Sequence, residues 1–128
     1  MILDTTIIVG SERSPGRGIP ELGDDDDVAI AAVTFAELMV GVELADRRHR
    51  GRRAKLVAAL LEAVPVEPYD LDTARAHARI LAQVQRAGRP RGAHDLIIAA
   101  TALATNRVVL TADVAGFSDI PGLEVRFS

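Results

Sequence analysis

Met1-Ile2-Leu3-Asp4-Thr5-Thr6 places two apolar side chains directly before an acid and two hydroxyls. The hexapeptide reads as a short buried strand that delivers Asp4 to its carboxyl end. A strand met this early is expected to lie centrally, because each later element is laid down on one side of it or the other. Val28-Ala29-Ile30-Ala31-Ala32-Val33, Val64-Pro65-Val66, Val108-Val109-Leu110 and Leu123-Glu124-Val125-Arg126-Phe127 read as four further strands. Their apolar runs are continuous rather than alternating, as expected for strands covered on both faces.

Helical spacing appears between these runs. Leu38, Val42 and Ala45 fall on one face of a segment from about 34 to 45, with Thr34-Phe35-Ala36-Glu37 as its capping box. Leu56, Val57, Leu60, Leu61 and Val64 mark a second helix. Asp70 is placed to cap a third, which passes Ala74, Ala78 and Leu81 and stops at Gly88 and Pro90. Leu96 to Thr105 forms a fourth. Between Thr6 and Leu22, Pro15, Gly16, Gly18 and Pro20 allow only a short helix followed by a loop.

Strands alternating with helices define an α/β domain, a parallel sheet of about five strands with helices on both faces. With the first strand central, right-handed crossovers give the order 3-2-1-4-5. Residues 1–128 contain no repeat and no linker, so a single domain is expected. Cysteine is absent, which excludes disulfides, thiolate metal sites and thiol nucleophiles. With no basic, apolar leader and no apolar run long enough to span a bilayer, a cytoplasmic protein is expected. The net charge of −3 opposes nucleic-acid binding, but the charges are segregated: Asp24 to Asp27 form an acidic block, whereas Arg47, Arg48, Arg50, Arg52, Arg53 and Lys55 crowd one segment. The few aromatic residues make stacking of exposed bases an unsuitable binding mode.

Ligands of such sheets bind beyond the carboxyl ends of the strands, where the order reverses. That point lies above Asp4. Glu37 follows the second strand and Asp113 the fourth, and the helix carrying Asp95 runs antiparallel to the strands, so it begins at the same edge. Each acid also suits a structural role as a cap, a turn residue or a partner of a helix dipole, and spacing alone leaves both readings open. Carboxylates gathered in one pocket repel unless a cation neutralises them. With oxygen ligands only, that cation is Mg²⁺ or Mn²⁺, which points to metal-assisted hydrolysis of a phosphodiester.

The chain resembles the PIN-domain ribonucleases and, within them, the VapC toxins of bacterial toxin–antitoxin pairs. The resemblance is carried by Ile2-Leu3-Asp4-Thr5-Thr6, Ala36-Glu37-Leu38-Met39-Val40-Gly41, Gly92 through Ala102, and Leu110-Thr111-Ala112-Asp113 followed by Phe117. It implies a three-layer α/β fold, a Mg²⁺-dependent acidic site that cuts RNA, a homodimer, and inhibition by a VapB-like antitoxin. Asp4, Glu37, Asp95 and Asp113 fall on the acidic positions, with Thr6 on the hydroxyl position beside the first. Many members carry an Asp directly before the last motif's phenylalanine, where this chain has Gly116. On this reading Asp4 and Asp95 are the principal metal ligands, Glu37 and Asp113 complete the site, and Thr6 and Thr111 support it. The Arg47 to Lys55 cluster either follows RNA phosphates or forms a solvated helix face. His49, His77 and His94 receive no role; His94 is expected to point away from Asp95. Two other readings remain: an aspartate-dependent phosphatase or phosphoacceptor using Asp4 as nucleophile, and a non-catalytic interaction module whose acids only cap helices.

Overall fold

A computed structural model describes residues 1–13 and 27–128. In chain order the elements are β1 (Ile2–Leu3), α1 (Thr5–Arg13), β2 (Ile30–Ala31), α2 (Ala32–Leu44), α3 (Arg47–Ala63), β3 (Val66–Glu67), α4 (Leu71–Ala87), α5 (Ala93–Ala104), β4 (Val109–Thr111), α6 (Val114–Phe117) and β5 (Val125–Phe127). The expected Pro- and Gly-rich loop and Asp24 to Asp26 lie outside the described residues.

All strand pairings are parallel. The expected single sheet in the order 3-2-1-4-5 is found in part. The strands form two ladders, β1-β4-β5 and β2-β3. One bridge joins them, Ile2 to Ala29, where Leu3 N donates to Ala29 O at 3.0 Å and Ala29 N to Met1 O at 2.9 Å. Strands this short have few ladder bonds, and a single bridge suffices to carry the layer across.

Alternation along these strands feeds two cores. Ile2, Ala29, Ala31 and Val109 face one side, against Ala76, Ile80 and Val84 of α4 and Leu96, Ile98, Ala99, Ala100 and Ala102 of α5. Leu3, Ile30 and Leu110 face the other, with Ile7 and Ile8 of α1, Phe35 of α2 and Leu60 of α3. Helices therefore cover both faces, as the continuous apolar runs require. The buried stripe Thr73, Ala76, Ile80 and Val84 follows the helical period. Asp70 caps α4 through Thr73 N at 3.0 Å, and Gly88, at φ 65°, ends it in the left-handed region that an unbranched backbone tolerates best.

Two boundaries correct the expectations. α2 begins at Ala32 behind an Ala31 N-cap, so the second strand is two residues long and Thr34-Glu37 is not a capping box. Thr34 is instead fully buried, with its hydroxyl unpartnered. α3 begins at Arg47 rather than at the apolar run near Leu56. Its cap is Asp46, which accepts from His49 N at 3.0 Å. Asp27, the last residue of the acidic block, is held by Arg107, whose Nε and Nη2 donate to its two oxygens at 2.8 and 2.9 Å.

Candidate active site

The β1–β4 register places Leu3 beside Leu110, and the ladder continues as Asp4 N donates to Leu110 O at 2.9 Å. Asp4 and Thr111 consequently emerge as neighbours at the carboxyl edge. Asp4 is only 3% exposed. Thr6 Oγ1 and Thr111 Oγ1 both donate to its Oδ2, at 2.8 and 2.7 Å. The same hydroxyl oxygens accept from backbone: Thr6 Oγ1 from Ala112 N at 3.0 Å, Thr111 Oγ1 from Asp113 N at 2.9 Å. Each hydroxyl hydrogen is thus committed to the carboxylate, and among the described hydrogen bonds Oδ1 accepts none. One oxygen is anchored by two hydroxyls and the other is not.

Asp113 caps α6, its Oδ1 accepting from Gly116 N at 3.1 Å. The structural reading of this acid holds, yet its position also places it beside the site. Asp95 lies in the first turn of α5, half-buried, and caps nothing; Gly92 is the N-cap. Among the described hydrogen bonds it has no partner. Burial pushes its carboxyl up to about 6, and the neighbouring charges of Asp4, Asp113 and Glu37 add to the rise, partly offset by His94. Glu37, in the second turn of α2, keeps a buried Oε1 without a hydrogen-bond partner. The four acids expected to meet from distant parts of the sequence stand at one edge.

His94, to which the sequence assigned no role, lies beside another of the acids. Its Nδ1 lies 3.4 Å from Glu37 Oε1, because α2 packs against α5 and brings Glu37 to it. His49 and His77 stay away from the site, in the α3 cap and against the Tyr69 hydroxyl at 2.8 Å. Two glycines were not anticipated as contributors. A Cβ at Gly116 would stand 2.6 Å from Asp113 Oδ2 and 2.7 Å from Asp95 Oδ2, and one at Gly92 would stand 3.2 Å from Asp95 Oδ2.

Among the described residues, no three Asp, Glu or His side chains form a ready-made cage for a metal ion. The Asp95 and Asp113 carboxylates instead form a loose rim around Gly116. Such a rim suits Mg²⁺, which keeps several waters and takes only one or two carboxylates. Glu37 Oε1, buried without a hydrogen bond and met by His94 Nδ1 at 3.4 Å, and the space that a Cβ at Gly116 would fill between the Asp95 and Asp113 carboxylates are the observations that fit a hard cation here.

The basic cluster lies at the start of α3, where Arg47, Arg48, Arg50, Arg52, Arg53 and Lys55 are all exposed. Cations at a helix N-terminus oppose its dipole, so local helix physics does not account for them. Arg52 and Arg53 line a groove of about 620 Å³ between α1, α2 and α3. Its floor is apolar, formed by Ile8, Val9, Leu38, Leu56 and Leu60, and Glu37 also lines it, linking the groove to the acidic edge.

A model of the PIN domain matches residues 1–123. The chain is 37% identical over 114 residues to Ribonuclease VapC5 of Mycobacterium tuberculosis (strain ATCC 25618 / H37Rv), covering 88% of this chain and 82% of that one. It is 29% identical over 126 residues to Ribonuclease VapC of Rickettsia bellii (strain RML369-C), covering 98% and 93%. Among solved structures, DNA-bound VapBC from Salmonella typhimurium superposes with a TM-score of 0.88 at 27% identity, covering 98% of this chain and 96% of that chain. With the acidic edge in place and most of its length matched, this chain belongs to the PIN domain family and, within it, to the VapC group.

Proposed function

We propose that this protein is a Mg²⁺-dependent endoribonuclease, with Mn²⁺ as a possible substitute, acting as the toxin of a type II toxin–antitoxin pair. The observation that carries this reading is Asp95: an unbonded, half-buried carboxyl surrounded by Asp4, Asp113 and Glu37, an arrangement that costs stability until a cation enters. Asp4 and Asp95 would hold the cation, and Thr6 and Thr111, bonded to Asp4 Oδ2, would fix the Asp4 carboxylate and leave Oδ1 available to it. When bound, the cation supplies activation of water and neutralisation of charge on the scissile phosphate. Glu37 and Asp113 would orient the attacking water, and one of them would receive its proton.

RNA phosphates would meet Arg47, Arg48, Arg50, Arg52, Arg53 and Lys55, a sequence-independent contact. The relatives' names, ribonucleases VapC, and a neighbour solved as VapBC support both the RNA substrate and a VapB-like antitoxin. An amphipathic antitoxin segment laid in the apolar groove would cover Arg52 and Arg53 and carry a basic side chain to Glu37. A homodimer and a cytoplasmic location belong to the same reading; no helix among the described residues is long and apolar enough to cross a membrane.

A module whose acids merely cap helices is disfavoured by Asp95, which caps nothing. Incubation of purified protein with labelled RNA in Mg²⁺, Mn²⁺ or chelator, beside Asp4→Asn and Asp95→Asn, tests the reading. Cleavage is expected only with cation and intact acids. Activity that survives chelator or both substitutions would sink it, and hydrolysis of a phosphomonoester dependent on Asp4 would revive the phosphatase.

A further inference from the structure

Glu37 caps no helix, and its Oε1 is buried without a hydrogen bond although its side chain as a whole is 29% exposed. A buried acceptor left unpaired is costly, so it takes the nearest donor. Among the described residues one basic group stands within ion-pair distance of it: His94, with Nδ1 3.4 Å from Oε1. Arg52 and Arg53 line the same groove as Glu37, but Arg53 Nη1 is committed to Gly41 O at 3.2 Å, and neither arginine joins Glu37 in a described ion pair.

His94 and Asp95 are consecutive residues in the first turn of α5. Successive side chains of a helix diverge by about 100°. The turn therefore leaves Asp95 half-buried and His94 largely exposed, reaching across to α2. Both side chains hang from the same turn, so the backbone fixes the distance between their origins. Through His94, the place of Asp95 on α5 is coupled to that of Glu37 on α2.

We infer that His94 is a positioning residue of the acidic centre: its Nδ1–H holds Glu37 Oε1 and so sets where the Glu37 carboxylate stands relative to Asp95. This role rests on the nuclease reading, in which Glu37 orients the attacking water. A carboxylate only accepts, so Nδ1 donates whether the ring is neutral or charged, and in the neutral ring Nε2 keeps its lone pair. At 3.4 Å the contact is longer than a formed N–H···O bond. A small rotation of the exposed ring closes it, and such contacts commonly tighten once substrate is bound. With Oε1 held, the other oxygen of Glu37 would be steadied where it can accept from the water.

Two measurements on the full chain test this. Two-bond ¹H–¹⁵N spectra of the histidine rings, without cation and at a pH where the rings are neutral, show which nitrogen bears the hydrogen; His94→Phe assigns the His94 signals. The expected result is hydrogen on Nδ1 in the wild type and a move to Nε2, the form an unbonded ring prefers, in Glu37→Met. Hydrogen on Nε2 in the wild type, or no change in Glu37→Met, overturns the inference. RNA cleavage with MnCl₂ is the second readout. His94→Phe is expected to lower kcat about tenfold or more, the scale seen when groups that orient a metal site are disturbed, with KM changed by less than about twofold. His94→Asn, whose amide nitrogen stands where Nδ1 does, should restore most of the rate; His94→Gln, whose amide stands where Nε2 does, should not. A fully active His94→Phe, an asparagine variant no faster than the phenylalanine one, or rescue by glutamine overturns the inference. The side chain is 59% exposed, so all three variants should melt near the wild type. Should His94→Phe fail to fold, the ring spectra and the comparison of asparagine with glutamine still decide. Wild-type protein that cleaves no RNA with cation would remove the nuclease reading and this role with it, an outcome distinct from a wild type that cleaves no faster than His94→Phe.

Discussion

Thr111 Oγ1 donates to Asp4 Oδ2 at 2.7 Å, joining the ends of β4 and β1 across a sequence separation of 107 residues. Both residues are buried, and the Thr111 hydroxyl also accepts from Asp113 N. One hydroxyl thus serves two of the four acids. Thr111→Val keeps the shape but strands a backbone N–H and removes a donor from a buried carboxylate, so a loss of about 1–3 kcal/mol is expected. Thr111→Ser should retain most of that stability. Urea unfolding midpoints measure both, and a valine variant as stable as the serine variant would show that the hydroxyl does not support the site.

Asp95 makes the unliganded fold sensitive to pH in a definite direction. Its carboxyl is pushed up to about 6 from an ordinary value of 3.8, first by burial and then by Asp4, Asp113 and Glu37. The folded protein therefore holds a proton that the unfolded chain has released. The stability this proton contributes is full below pH 3.8 and is lost as pH rises through about 6. Asp95→Asn removes the titration and the repulsion. Without divalent cation, its melting temperature is expected to match the wild type near the acid end and to exceed it increasingly up to neutral pH. A constant difference across that range would count against Asp95 as the strained acid. Added Mn²⁺ should narrow the gap by stabilising the wild type.

Arg107 reaches across the opposite edge of the strands. Its Nη1 donates to Glu67 Oε1 at 2.6 Å, while Nε and Nη2 hold Asp27 and keep that carboxyl below its usual range, chiefly through hydrogen bonding. The side chain is 15% exposed and links the approaches to β2 and β4 with β3, reinforcing two ladders that share a single bridge. Arg107→Met should cost about 1–3 kcal/mol, less than a fully buried pair because Asp27 is largely exposed. Mn²⁺ affinity should be unchanged, since the site lies at the other edge. A stability cost with an equal loss of affinity would mean that the two edges are coupled.

The convergence of Asp4, Glu37, Asp95 and Asp113 could be read from topology, because strand direction alone decides at which edge each acid emerges. What could not be read depends on which neighbour packs where. Val28 to Val33 is apolar throughout, so its periodicity does not distinguish a long strand from a short strand running into a helix at Ala32. The Thr34–Glu37 spacing imitates a cap for the same reason. The first turns of α3 carry arginines instead of an apolar stripe, and so they leave no core-facing pattern before Leu56. His94 comes to Glu37 through the packing of two helices, which no local spacing encodes. Gly116 looks in sequence like a lost acid, and only the fold shows that it lies against the Asp95 and Asp113 carboxylates.

The groove beside Glu37 separates an RNA path from a solvated helix face. Arg52 and Arg53 line it, and Arg53 Nη1 is held by Gly41 O at 3.2 Å, which keeps that side chain along the groove rather than spread into solvent. Phosphates bound there would displace counterions, so affinity should fall steeply with salt, by a slope of about 0.7 per neutralised phosphate on a single strand. Arg52→Glu with Arg53→Glu is expected to weaken RNA binding at low salt and to flatten that slope by roughly one to two phosphates. Fluorescence anisotropy with a labelled RNA in chelator, where cleavage is blocked, measures both quantities. Both side chains are exposed, so melting should change little. Binding with unaltered affinity and slope would return the cluster to a solvated helix face and leave the RNA path to be sought elsewhere on the acidic edge.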